Sequence, residues 1–585
     1  ANPCTCNQAF SSGKTTAYAY SSGFSDARLN RNLISITDAG SGAAKVTFTY
    51  AATTDPATPN FDHVTSVLRG SGGVGGYTSL AYTREFAGDP DAPATAFART
   101  TITDANGNVK VAYFDVSRHF IRFIERTNRN VRPGEGDYTT TFGYTVEGLL
   151  ATVTRPRGNS ASFLYDSPNP RRQSQGNLLK FRRLVGSVGG SPSALVMRHT
   201  HEPVFNRVRT VTDARAFPTG SVPLDGSGHL NLSDPLVSRY TTTTFFDYQE
   251  GSGFQAAQGI AVSERITESL GDLNADLSTT QTQGNAVKVQ YPTITAGPNA
   301  GQTISTLRTS NGSGQPLKIT DPEGHVTKLD YFQPGDAFGR AHYLQRITRD
   351  DGGFALKTEF DRDVRGNRKS VTHPKGLTAT PPPTQGQDAP FFYNELDQLV
   401  RIRSRQPFAP LSTVRYQTDF RYDANDDLVQ KCISNQNETG AAYPHGVIVH
   451  TFTYNLLHYP VNDTFDRSLN DNSQTGSVTW RLSYDMNLNV IANEFPLAVS
   501  GSVPNNIITI LRDERDLPYK RIVGDNDTNP ANVQPSMLES PPVNAVVTTQ
   551  NYDANGNLQE TIDSIRNAQH SFAPTTLFPG SAAGD

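Results

Sequence analysis

Apolar and polar residues alternate with a period of two in short runs along this chain, as in Val287-Lys288-Val289-Gln290-Tyr291 and Thr451-Phe452-Thr453-Tyr454. Successive side chains of an extended backbone point to opposite faces, so such runs predict half-buried β-strands; the three- and four-residue spacing of an amphipathic helix does not occur between them. Many runs end in one local pattern. In Tyr552-Asp553-Ala554-Asn555-Gly556-Asn557-Leu558 an aromatic closes a strand, an Asn-Gly pair supplies the positive φ angles of a tight turn, and a leucine opens the return strand. The aromatic at position zero and apolar residue at plus six recur at Tyr422-Asp423 with Leu428, Tyr484-Asp485 with Val490, Tyr393-Asn394 with Leu399, Phe114-Asp115 with Phe120, and Tyr144 with Gly148 and Leu150. Related starts are Tyr454-Asn455, ending at Pro460, and two copies with arginine in the aromatic slot: Arg362-Asp363 with Gly366, and Arg512-Asp513. From 362 the starts fall at 393, 422, 454, 484 and 512, an interval of about thirty residues.

A second pattern interleaves with the first. Ile319-Thr320-Asp321-Pro322-Glu323-Gly324 leads to Tyr331, Val153-Thr154-Arg155-Pro156-Arg157-Gly158 to Tyr165-Asp166, and Ile102-Thr103-Asp104-Ala105-Asn106-Gly107 to Phe114. Proline early in such a segment followed by glycine marks a reverse turn. Each repeat is expected to be two strands joined by two different turns. The repeated tyrosines are expected to stack from one coil to the next.

Composition narrows the class. The 585 residues carry a net charge of −4, with 18% charged residues and 53 phenylalanines and tyrosines. The charge leaves no global basic field for nucleic acid, and the aromatic content offers too much burial surface for a disordered chain. No apolar stretch reaches the roughly 18 residues of a membrane helix. The three cysteines, Cys4, Cys6 and Cys432, form no framework, and the simplest expectation is free thiols, with one long-range bridge to Cys432 as the alternative.

The alternation of Tyr-Asp-x-x-Gly-x-Leu with Ile/Val-Thr-Asp-Pro-x-Gly resembles the YD repeats of the RHS family, over residues from about 30 to 565. That family takes in bacterial Rhs polymorphic toxins, wall-associated proteins, the B and C shell components of insecticidal Tc toxin complexes, and animal teneurins. The resemblance implies an all-β fold, an antiparallel β-hairpin ribbon spiralling into a hollow shell or barrel-like solenoid. The Asp-Pro-x-Gly-Leu box that ends cleaved Rhs shells is not found, and Asp321-Pro322-Glu323-Gly324 is a repeat turn.

Candidate chemistry is sparse. Gly13-Lys14-Thr15 lacks the upstream glycine of a phosphate loop, since position 8 is Gln8. His199 and His201 fall on one face of a predicted strand, half of a metal site at most, and are expected to be exposed strand histidines. Asp361-x-Asp363 followed by Gly366 resembles the start of a calcium loop, but Arg365 stands where an oxygen donor belongs. The aspartates of the repeats have a structural role available, because an Asp side chain accepts backbone N–H groups within its own turn. No catalytic residue, metal ligand or cofactor site is therefore assigned.

The organisation read from these patterns is an N-terminal segment or cap (1–29), a repeat array (30–167), a repeat array with long insertions (168–300), a regular array (301–565) and a tail (566–585). A short helix is expected at Ile266-Thr267-Glu268-Ser269-Leu270, and a stiff loop from Pro381-Pro382-Pro383 through Pro390. The functional expectation is a non-enzymatic scaffold, secreted or at the cell surface. Alternatives are an adhesin binding cell-surface glycans, or a shell fragment of a toxin complex enclosing a polypeptide cargo; self-association is a further expectation.

Overall fold

The computed structural model describes residues 13–571 except 41, 72–73, 129–131, 133, 187–193, 203–205, 227–229, 247–284, 295, 312, 375–389, 404–416, 437–441, 467–475, 526–544 and 564–567. The expected elements at 266–270 and 381–389, and Cys4 and Cys6, lie outside the described residues. The fold is all-β: only one-turn helices at Pro235–Arg239 and Pro496–Val499 and three 3-10 turns interrupt the strands among the described residues. Within each run of paired strands, successive strands are bonded antiparallel, as expected for a ribbon of hairpins.

Two compact units divide the chain: residues 1–159 with 418–585, and residues 160–417. The first unit holds two meanders, one from Ala17–Tyr20 to Leu150–Thr154 and one from Gln417–Tyr422 to Ala568–Ser571. The second unit holds a meander from Ser160–Tyr165 to Arg368–Thr372 and a hairpin of Phe391–Tyr393 with Leu399–Arg403. Its ladder runs without a break through Leu178–Leu184, Ala194–His201 and Val208–Thr212, where the repeat signature fades. Pairing there needs only alternating strand residues, and the turn signature is dispensable.

Few strand residues are fully buried. Small cores form where a long connection folds back over one face. Val111, Tyr113 and Ile124 pack under Phe86, Ala92 and Ala96. Val196 packs with Ala216, Phe217, Leu230 and Val237 of the excursion after Thr212. Tyr113 is fully buried and donates its hydroxyl to Asp89 Oδ2 at 2.8 Å; burial, reinforced by that carboxylate, pushes the phenol up to about 12.

Candidate functional site: a lattice of docked turns

The two turn signatures fold into the same object. At Asp553 the backbone N–H donates to Asn557 O, and Gly556 N–H donates to Asp553 O, both at 2.9 Å. The Asp553 carboxylate then accepts the N–H groups of Asn555 and Asn557, at 2.9 and 2.8 Å, and the Asn557 side chain at 3.1 Å. Asp104, of the second signature, repeats every one of these bonds with Gly107, Asn106 and Asn108. Asp321 does the same with Gly324, Glu323 and His325, Pro322 taking the position that needs no N–H. The expectation of two different turns is thus corrected to one design, a five-residue turn numbered here from its Asp or Asn (Thr145 in the Gly148 turn) at position 0 to position +4. The expected pair of positive φ angles is corrected as well: position +3 alone is left-handed, at φ 83 for Gly556, 81 for Gly148, 92 for Gly324 and 89 for Gly366.

Position +3 need not be glycine. Asp397, Asp426, His458, Leu488, Asp516 and Arg118 all hold positive φ there. Such angles cost a non-glycine residue of the order of 1 kcal/mol, least for Asp, Asn and His. A return is visible in the links between consecutive turns along an edge, where position +4 of one turn meets position +3 of the next. Asp427 Oδ2 lies 2.6 Å from His458 Nδ1, Asn489 donates to Asp516 at 2.9 Å, and Asn367 donates to Asp397 at 2.5 Å. Arginine at +2 adds a second link to the carbonyls at positions 0 and +1 of the next turn. Arg365 reaches Asn394 O and Glu395 O, and Arg515 reaches Asp553 O and Ala554 O.

The aromatic at the end of each strand makes a third link. Tyr144 donates its hydroxyl to Phe120 O, Tyr454 to Leu428 O, Tyr484 to Pro460 O, Tyr552 to Pro518 O and Tyr331 to Pro316 O, at 2.6 to 2.9 Å. The acceptor in the first four is the plus-six residue of the preceding turn. Burial raises these phenols above their usual range. The tyrosines thus form a hydroxyl-to-carbonyl ladder, where ring stacking was expected; each bond contributes about 1 kcal/mol net. Tyr144 does stack, on His119, with centroids 4.5 Å apart. The aromatic and its plus-six partner close each hairpin across a β-bulge, as in Tyr552 with Leu558, Tyr422 with Leu428, Tyr393 with Leu399 and Phe114 with Phe120. Tyr165-Asp166 departs from the pattern: Asp166 N–H bonds Asn177 O, so a longer loop replaces the turn. Tyr331 likewise opens a loop, in which Arg340 lies between the rings of Phe332 and Phe338.

Within the first unit the two meanders meet turn against turn. Gly40 N–H donates to Asn425 Oδ1, Arg157 N–H to Asn555 Oδ1, and Met486 N–H to Asn106 Oδ1. Each acceptor is an asparagine at position +2, so a single rule operates in both directions across the seam. Charges reinforce it. Arg157 bonds Asp553 at 2.6 Å, Arg132 bonds Asp513 at 2.5 Å, and His458 Nε2 lies 2.6 Å from Asp38 Oδ2. Lys14, singled out in the phosphate-loop comparison, pairs with Asp426. Side chains of the turns thus join the two meanders.

Burial sharpens this chemistry. Asp513 is fully buried beside Arg132 and Arg515, whose guanidinium lies 4.0 Å from the centre of the Tyr138 ring. Burial works against charge on Asp553, but its bonds from Asn557 and Arg157 outweigh this and hold the carboxyl below its usual range. Burial likewise opposes charge on His458, and its contacts with Asp427 and Asp38 raise the imidazole above its usual value near 6.5. Glu514 is the exception. It is 3% exposed, neither carboxyl oxygen has a hydrogen-bond partner, and burial, with the charge of Asp513 beside it, raises its pKa.

The remaining candidates resolve as follows. Asp363 anchors its own turn, and Asp361 binds Arg340 and Lys369. No cluster of three metal-ligating side chains occurs among the described residues. His199 and His201 are half-buried, not exposed; burial lowers both, and their Nδ1 atoms are buried without partners. Cys432 is buried and disulfide-bonded, which overturns the expectation of free thiols.

No family model and no curated protein matches this chain. Among solved structures it is similar to a TcdB2–TccC3 complex lacking its hypervariable C-terminal region, at 12% identity and a TM-score of 0.40, over 88% of this chain and 24% of that one. It is also similar to the Photorhabdus luminescens Tc holotoxin pore, at 13% identity and a TM-score of 0.34, over 88% and 24%. A third likeness, to the crystal structure of TcdB2–TccC3, has 12% identity and a TM-score of 0.32, over 89% and 31%. This chain therefore spans a quarter to a third of the length of the chains it is similar to.

Proposed function

We propose that the chain is a non-enzymatic wall element, an RHS-type β-ribbon scaffold whose docked turns build the wall of a shell. The observation that carries this reading is the engagement of the repeat residues in structure. The anchoring Asp or Asn holds its own turn, position +3 supplies the left-handed bend, and the tyrosine reaches the neighbouring repeat. Residue types that would otherwise suggest acid–base chemistry already have a mechanical task at these positions. The disulfide at Cys432 supports assembly in an oxidising, exported setting.

Imaging the purified protein by electron microscopy, together with limited proteolysis, tests the reading. A curved wall with a concave solvent-filled face, protected as one body, is the expected result. A hydrolytic activity that co-purifies with the chain and disappears with a single point substitution would overturn it.

A further inference from the structure

The turns divide into those that face another turn and those that face solvent. Among the solvent-facing ones, Asp321-Pro322-Glu323-Gly324-His325 is exposed at every position, with Glu323 82% exposed at its side chain. Asp115-Val116-Ser117-Arg118-His119 is exposed from Val116 to Arg118, with Val116 at 74%. An exposed valine at position +1 has no role within its own turn, since the Asp115 bonds involve positions +2, +3 and +4. Both turns have the backbone of the docked ones, with Ser117 and Glu323 at position +2 where the seam has asparagine, so charge takes the place of the amide contact.

The seam also supplies a template for how they fit. His458, a left-handed residue at position +3 of its turn, contacts Asp38, the first residue after strand Leu33–Thr37, in the longer loop that faces it. Arg118 is likewise the left-handed +3 residue of the Asp115 turn, and Asp321 heads the exposed turn that carries Glu323. Arg118 thus stands at the position of His458, and Asp321, like Asp38, is the first residue after its strand.

We propose that the Asp115–His119 turn of one molecule docks on the Asp321–His325 turn of a second copy of this chain, Arg118 meeting Asp321 and Glu323. The two surfaces differ, so the contact is heterologous: every added copy leaves one surface of each kind free, and a row or ring of molecules forms. The proposal rests on the seam geometry and does not depend on the chain being a shell wall. Because the contact is between exposed charges, it weakens as salt rises.

Sedimentation velocity over a range of concentrations tests it on the whole chain. The expected result is a mean mass that rises with concentration and falls back to the monomer in molar salt. Arg118→Asp and Glu323→Arg each reduce that assembly at least tenfold in concentration dependence while leaving the melting temperature unchanged. An aspartate at position 118 suits the left-handed backbone there. An equal mixture of the two variants regains assembly, since the carboxylate introduced in one faces the guanidinium introduced in the other. A wild-type chain that stays monomeric at all concentrations, single variants that assemble like the wild type, or a mixture that stays monomeric would each overturn the proposal.

Discussion

The turn at Asp513 and the turn at Asp363 have the same backbone bonds, the same anchoring carboxylate and an arginine at the same position, yet their surroundings differ. At Asp513, in the first unit, Arg132 arrives from the facing meander, the carboxylate has no solvent exposure, and Arg515 is 6% exposed. At Asp363, in the second unit, Val364 is 65% exposed and Arg365 44%. Identical local chemistry has thus become a buried joint in one place and a solvated edge in the other. Local sequence makes the turn; a distant partner turn decides how much each of its charges is worth.

Removing the arriving cation breaks this comparison most severely. Arg132→Ala leaves Asp513 buried with Arg515 as its remaining cation, and a loss of about 4 kcal/mol is expected in denaturant unfolding. Arg365→Ala, whose Asp397 partner is 46% exposed, should cost less than about 0.5 kcal/mol. Equal losses at the two sites would show that docking adds nothing to the turn.

Glu514 sharpens the same contrast from the other side. Its carboxyl is buried without a hydrogen bond, and its pKa stands above the unfolded value, so folding favours its protonated form. The stability this group contributes is fully present below the ordinary carboxylate range and is lost as pH rises through the raised value. Glu514→Gln should therefore raise stability at pH 7 by about 1 kcal/mol, and the gain should vanish in acid. A melting temperature that falls at pH 7 would mean that the charge is stabilised by Arg132 after all.

His458 titrates the seam in a window closer to neutrality. Its contacts raise its pKa, so its contribution is complete below about 6.5 and is lost as pH climbs through the raised folded value. Protection against amide exchange at Asp38–Gly40 and Asn455–Tyr459, measured relative to the intrinsic exchange rate at each pH, should fall together over that interval. In His458→Asn, which suits the left-handed backbone but does not titrate, the pH dependence should disappear.

Much of the repeat was legible in the chain because its signals are local. Asp at position 0 and glycine at +3 act within five residues, and the aromatic with its plus-six partner closes one hairpin. The seam was not legible, since Asn106 and Met486, or Arg157 and Asp553, lie several hundred residues apart and each looks ordinary in its own turn. A signal was available at His458, Asp397 and Asp516, where a polar non-glycine residue occupies the left-handed position. At these three the residue that takes the place of glycine also makes a contact beyond its turn. Cys432 shows a similar limit, because spacing alone does not distinguish a free thiol from a bridge to a distant segment.

The smallest expected effect concerns what the two regions share. Tyr552, on the docked edge, and Tyr331, in the second unit, both donate to a backbone carbonyl at 2.9 Å. Tyr→Phe removes the hydroxyl and leaves the carbonyl without that donor, at a cost of about 1 kcal/mol. The bond lies between neighbouring strands of one meander and owes nothing to the facing turn. Tyr552→Phe and Tyr331→Phe should therefore cost the same within about 0.5 kcal/mol, whereas Arg132→Ala and Arg365→Ala should differ severalfold. A larger loss at Tyr552 would mean that docking also tightens the ladder behind the turns. Equal losses would separate the chain's two kinds of connection, one that holds each ribbon together along its length and one that joins ribbon to ribbon.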